Sequence, residues 1–230
     1  MPGHTPQEGE VILEIPSDAE GLFVRRPNRF LGLVEVDGDV VEAHVHDPGR
    51  LKEILYPGNR VLLRRAGGRR KTSWDLLAGD VDGRWIFVHS GYHRQIARWY
   101  ILNRKPFGEV LSLRDEVQAG RSRIDHLVTT EEGEILVEVK GCTLAEDGVA
   151  LFPDAPTERG CRHLEELMGH GRGAVIFLIF RPDAVRFEPN RKTDPHFAET
   201  FQRAVESGVE VRTPVFAYDG MRLMYLRDLC

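Results

Sequence analysis

Asp125, Glu138 and Lys140 have the types and the spacing to do chemistry on a phosphate. They lie in residues 121–141, R-S-R-I-D-H-L-V-T-T-E-E-G-E-I-L-V-E-V-K-G, where β-rich runs at 124–130 and 135–140 flank a polar, glycine-containing segment. That composition predicts a hairpin. With a loop over 131–134, Thr130 faces Ile135, Leu127 faces Glu138 and Asp125 faces Lys140. Side chains alternate across a strand, so Asp125, Glu138 and Lys140 share one face, and Ile124, Val137 and Val139 the other. A one-residue change in loop length would part the two carboxylates. Neighbouring carboxylates repel, and a shared proton or a divalent cation relieves them. Mg²⁺ (or Mn²⁺) takes oxygen from one or two carboxylates and leaves its other positions to water and phosphate. Asp125 and Glu138 are thus the candidate metal ligands. Lys140 would orient a water or offset charge developing at phosphorus. The plainer alternative is an exposed strand with a cross-strand ion pair between Asp125 and Lys140.

These residues need a scaffold, and 230 residues are enough for one large or two small domains with real cores. Hydrophobic content of 41% and charged content of 29% describe an ordinary globular chain. The formal net charge of -5 means that a nucleic-acid partner must be met by a local basic patch. Cys142, Cys161 and Cys230 are odd in number and lack C-x-x-C spacing, which fits a reducing compartment and argues against a zinc knuckle. No apolar run reaches the roughly 20 residues of a membrane span, and the first ten residues lack a signal pattern. The expected location is cytoplasmic, with no membrane partner.

From residue 10 to about 91 the pattern is short strands separated by turns: 11–15, 30–36, 40–45, 60–64, 74–78 and 85–89. Asp37-Gly38-Asp39 marks a hairpin, residues 46–50 break the run, and 51–56 read as one helical turn. This predicts a small Greek-key barrel of the OB type, with a generic five-stranded barrel as the competing reading. Arg64 to Lys71 carries Arg65, Arg69, Arg70 and Lys71 on a Gly-containing loop, with Trp74 just beyond. Such a loop suits phosphate contact and base stacking; a solvated hairpin tip is the alternative.

Residues 93–102 space Ile96, Trp99 and Tyr100 as a helix does, before Pro106-Phe107-Gly108 interrupts. The domain boundary is placed there, giving 1–92 and 93–230. Residues 109–118 are ambiguous, with 116–118 favouring a strand that enters the hairpin. After a polar excursion at 143–153, Thr157 is an expected N-cap for a helix to about His170. Residues 174–180, A-V-I-F-L-I-F, read as a strand covered on both faces. Asp194-Pro195 opens another helix to Ser207, and late strands follow. The arrangement is α/β.

S-R-I-D (Ser122 to Asp125), V-E-V-K (Val137 to Lys140), T-L-A-E (Thr143 to Glu146) and F-P-D-A-P-T-E-R-G-C-R-H-L (Phe152 to Leu164) resemble the sugar fermentation stimulation protein A family. The likeness extends to Arg29-Phe30-Leu31, to Arg70-Lys71 with Trp74, and to A-V-I-F at 174–177, spanning about 24–211. It implies an N-terminal OB-like domain and a C-terminal PD-(D/E)XK nuclease-like domain whose motif residues fall on Asp125, Glu138 and Lys140. It also implies DNA binding connected with regulation of sugar metabolism. Departures occur at His46-Asp47-Pro48-Gly49, at His89-Ser90 and at Gln118; all leave the acidic site intact.

If the site is catalytic, Asp125 and Glu138 hold one or two Mg²⁺ ions and Lys140 serves the attacking water or the transition state. Glu116 is a further acid, or a surface glutamate. Arg159 and His163, one helical turn apart, approach the phosphate or merely solvate their helix. Asp154 and Glu158 are extra ligands or helix-dipole partners. His44, His89 and Cys142 read as structural. The expected function is a DNA-binding protein with a Mg²⁺-dependent phosphodiesterase (nuclease) site, RNA being a second substrate class. The alternative is a non-catalytic DNA-binding regulator of sugar metabolism genes. A homo-oligomer is compatible with either.

Overall fold

The computed structural model describes residues 9–67 and 72–229, which divide into two units. The first comprises the residues up to Tyr92 together with Phe180–Pro182 and Val215–Arg227. Its strands are β1 (Glu10–Glu14), β2 (Ala19–Asn28), β3 (Leu31–Val36), β4 (Asp39–His44), β5 (Arg60–Arg65), β6 (Trp74–Val81) and β7 (Arg84–Phe87). They hydrogen-bond in the order β4-β3-β2-β5-β6-β7. A parallel β4–β6 contact, Ala43 opposite Trp74 and His44 opposite Asp75, curls the sheet into an OB-like barrel. Asp37 and Gly38 both have positive φ, which suits the tight turn between β3 and β4. Residues 74–79 of β6 are all buried, so this strand forms the barrel's inner wall.

β2 lies in a stretch to which the sequence reading assigns no strand. Its glycine has a packing reason: a Cβ on Gly21 would lie 2.5 Å from the Glu35 carbonyl oxygen. The close approach of β2 to β3 therefore requires a bare backbone there.

The second unit comprises His93–Ile179, Asp183–Pro214 and the last residues of the chain. It holds α1 (His93–Arg104), β8 (Val110–Ala119), β9 (Ser122–Thr130), β10 (Gly133–Cys142), β11 (Ala145–Glu146), β12 (Val149–Phe152), α2 (Glu158–Gly169), β13 (Gly173–Ile179), β14 (Arg186–Pro189), α3 (Pro195–Glu206) and β15 (Glu210–Arg212). Its main sheet runs β13-β10-β9-β8, with β15 also pairing β13. β10 and β13 are parallel, joined by a crossover through α2. All seven residues of β13 are buried, as its unbroken apolar sequence requires. The excursion at 143–153, which reads as polar, instead forms the β11–β12 hairpin, and β12 pairs β14.

Both long helices are capped as their sequences predict. Thr157 accepts a hydrogen bond from the Gly160 amide, and Asp194 accepts one from the Phe197 amide with Pro195 following. Phe177 of β13 packs against Phe152, Phe187 and Phe201, fixing α3 on one face of the sheet. The opposite face receives α1, since a Cβ on Gly141 would come within 2.3 Å of the His93 ring. Two final strands, β16 (Pro214–Tyr218) and β17 (Arg222–Asp228), return to the first unit, where β16 pairs β7 and β17 pairs β1. No helix among the described residues is long and apolar enough to cross a membrane.

Candidate functional site

The β9–β10 hairpin turns on two residues, Glu131 and Glu132, rather than on the four expected. Gly133, at φ 118, begins β10 opposite Thr130, a conformation that favours glycine. The register is therefore displaced by two: Leu127 faces Leu136 instead of Glu138, and His126 faces Val137. The next position sets Asp125 opposite Glu138 rather than Lys140. Because the displacement is even, the facing is preserved, and Asp125, Glu138 and Lys140 remain on one side of the sheet.

At that position a side chain enters the ladder. The Val139 amide donates to Asp125 Oδ2 at 2.8 Å, which fixes this carboxylate beside Glu138. Glu138 is 3% exposed. Its Oε1 accepts from Lys140 Nζ at 2.5 Å and from His163 Nδ1. Its Oε2 is buried with no hydrogen-bond partner. A buried carboxylate oxygen without a donor is costly, and a bound cation would satisfy it. The donor set, two carboxylates with an ammonium and an imidazole nearby, fits a hard divalent ion.

α2 supplies the imidazole. Its amide-capped start at Thr157 sets the helical phase that points His163, itself 2% exposed, at Glu138. One turn earlier, Arg159 Nε donates to His163 Nε2 at 3.2 Å. With Nε2 accepting, a neutral ring carries its proton on Nδ1, toward Glu138. Lys140 Nζ lies 3.3 Å from that Nδ1. Arg159 and His163 thus belong with the acids as a connected chain, a role their helical spacing alone did not single out.

The two carboxyls titrate apart. Burial, reinforced by the Glu138 charge, pushes Asp125 up to about 6 against the opposing pull of the Val139 amide, Lys140 and His163. Burial also acts to raise Glu138, but the His163 hydrogen bond and the Lys140 charge outweigh it and hold that carboxyl below its ordinary value. Near neutrality the free protein keeps Glu138 charged and Asp125 largely ionised, and only toward about pH 6 and below does Asp125 hold a proton that a cation must displace.

Other candidates fall elsewhere. Glu116 sits on β8 between the pairs Asp115–His126 and Val117–Ile124, the register position facing Asp125. Its φ is 55, and its carboxylate is engaged by Arg94 of α1 and lies 3.7 Å from Arg123. These contacts anchor it to arginines rather than to the acidic pair. Glu158 occupies the first turn of α2. In the first unit, Trp74 is 8% exposed, and the Arg65 guanidinium lies 4.5 Å from its ring centroid. The indole is thus covered, which corrects the expectation that it offers a free face for base stacking. Arg69, Arg70 and Lys71 lie outside the described residues.

Residues 91–221 match the sugar fermentation stimulation protein RE domain, and residues 24–88 match the SfsA N-terminal OB domain. The chain belongs to the sugar fermentation stimulation protein (SfsA) family. The SfsA homolog of Methanococcoides burtonii is 45% identical over 94% of this chain and 93% of its own. That of Thermotoga neapolitana is also 45% identical, over 94% and 96%. A solved structure, SfsA of Pyrococcus furiosus in complex with Ca²⁺, shares 30% identity and superposes with a TM-score of 0.86, covering 95% of this chain and 97% of that one. The SfsA likeness thus spans both units.

Proposed function

We propose that this SfsA protein binds DNA and hydrolyses a phosphodiester bond at the Asp125–Glu138 site with Mg²⁺ or Mn²⁺. The observation that carries this reading is the buried, donorless Oε2 of Glu138 beside an Asp125 carboxylate on the same sheet face. The related Pyrococcus furiosus protein, solved in complex with Ca²⁺, supports a taste for hard, oxygen-seeking cations.

Asp125 and Glu138 would hold the ion, which when bound supplies Lewis acidity and a more acidic water. Asp125 accepts from Val139 and so keeps one fixed orientation toward it. Lys140, already 2.5 Å from Glu138, presents an ammonium that offsets negative charge gathering on phosphate oxygens. His163 holds Glu138 in its rotamer by donating from Nδ1, and Arg159 fixes the tautomer from behind. Burial of the acids limits competing water and strengthens each of these interactions.

A second reading, a DNA-binding regulator of sugar metabolism that does not cleave, draws on the same contacts. Glu138 Oε1 is already satisfied by an ammonium and an imidazole, so the cluster also works as a buried ion-pair support. Labelled single- and double-stranded DNA, incubated with Mg²⁺ or Mn²⁺ and with chelator, separates the two. Metal-dependent cleavage that disappears in Asp125→Ala is expected of the nuclease. DNA binding that survives Asp125→Ala with no cleavage of any substrate leaves only the regulator.

A further inference from the structure

The first unit carries a separate set of donors. His46 follows β4, Asp75 lies in β6 and His89 follows β7, and one ligand atom from each falls within 4.8 Å of the others. His46 Nε2 is 3.0 Å from Asp75 Oδ1. The His46 and His89 rings stack with centroids 3.6 Å apart. Asp75 is 7% exposed and His89 8%. We infer that His46, Asp75 and His89 form a second metal site, one that takes a borderline transition-metal ion of the Zn²⁺ class.

The barrel builds this convergence. The parallel β4–β6 contact sets His44 opposite Asp75, so the chain leaving β4 passes directly over that carboxylate. β6 and β7 pair through Ala78 and Phe87, and the Val88 amide reaches the Leu77 carbonyl at 2.8 Å, which brings His89 to the same end. The segment bearing His46 is held from two sides. Arg26 donates to the carbonyls of Asp47 and Gly49, and Ser90 Oγ donates to the carbonyl of His46 itself. Gly91 leaves room for the His89 ring, since a Cβ there would lie 2.9 Å from its Cε1. His44 packs edge-on to His46 and Tyr92 edge-on to His89. These fixed surroundings orient ligands before any ion arrives.

Two imidazoles and a carboxylate are the donors that Zn²⁺, Co²⁺ and Ni²⁺ prefer, whereas Mg²⁺ and Ca²⁺ seek oxygen alone. A tetrahedral zinc places its ligands about 3.4 Å apart. The Asp75–His46 pair is already that close, and with all three ligand atoms within 4.8 Å of one another, closure on an ion asks only for small side-chain adjustments. Three protein ligands leave one position to water. This chemistry differs from that of the Asp125–Glu138 pair, so the two sites should sort ions.

The test uses full-length Asp125→Asn/Glu138→Gln protein, which lacks the other acids, titrated with Co²⁺ in excess Mg²⁺. About one Co²⁺ per chain with visible d–d absorption is expected, displaced by Zn²⁺ and weakened at least tenfold in His46→Gln or Asp75→Asn. Absence of bound Co²⁺ at millimolar concentration overturns the site and leaves an Asp75–His46 hydrogen bond only. Binding that is indifferent to both substitutions overturns it as well. Should the double variant fail to fold, the same titration on the unsubstituted protein decides: His46→Gln must remove one equivalent, and retention of every equivalent refutes the inference. The outcome is independent of whether the acidic pair hydrolyses DNA.

Discussion

At the residue scale, the decisive group is Asp125, whose carboxyl is pushed up to about 6 by burial and by the Glu138 charge. A cation needs the ionised form, so binding there must release a proton whenever pH lies near or below that value. Mn²⁺ affinity measured by calorimetry should therefore fall steeply as pH drops from 7.5 to 5, with proton release visible as buffer-dependent heat. Affinity that stays flat across that range would remove Asp125 from the ligand set. The same shift has a sign for stability. The folded carboxyl is harder to ionise than the unfolded one, so stability is lost as pH rises from about 4 to about 6, and the loss is complete above that. In metal-free buffer at pH 7.5, Asp125→Asn should stabilise the protein by on the order of 1–3 kcal/mol, and the gain should vanish near pH 4. A thermal melt that shows Asn destabilising at pH 7.5 would mean that the Val139 contact outweighs the buried charge. A gain in stability on removing a carboxylate is the signature of a site kept for function.

At the element scale, Asp194 ties two helices together. Its Oδ1 caps α3 at the Phe197 amide, while its Oδ2 accepts from the Thr157 amide at 2.8 Å, just where α2 begins. Replacing it by alanine removes one cap and strands a second amide, so Asp194→Ala should cost about 2–4 kcal/mol in urea denaturation, against about 1 kcal/mol for Thr157→Ala. Equal costs for the two would show that the shared carboxylate does not couple the helices. These caps were legible in the sequence because they are local: a threonine or an aspartate, then an amide three residues on. The facing of Asp125 and Glu138 was legible for a related reason, since strand alternation depends only on the parity of the loop and not on its length. The register itself was not, because Glu131 to Glu134 offers no local mark of where the turn closes until Gly133 is seen at positive φ. β2 was hidden by residues whose reason is tertiary, Gly21 making room for β3. His89 read as structural and His46 only as part of a break between strands, because 43 positions separate them in sequence and only closure of the barrel stacks their rings.

At the scale of the whole molecule, a chain with net charge -5 has no general attraction to DNA, so any affinity must come from a few well-placed cations. Two groups are candidates. Arg159 is partly committed to His163 and so contributes less than a free cation would. The run containing Arg69, Arg70 and Lys71 has the higher charge density in sequence. Each phosphate neutralised adds about 0.9 to the slope of log affinity against log salt on duplex DNA. Changing those three residues together to alanine should thus lower the slope by about 2–3, with little change in affinity extrapolated to high salt, where screening has already removed their contribution. Such a result would make the OB-like unit the principal DNA contact and would leave the Asp125–Glu138 chemistry to act on whatever that unit delivers. A slope that does not move would instead assign DNA binding to the second unit. In that case Arg162, whose Nε lies 3.3 Å from Ser122 Oγ on the same strand as Asp125, becomes the cation to change next, and Arg162→Ala should lower the slope by about one.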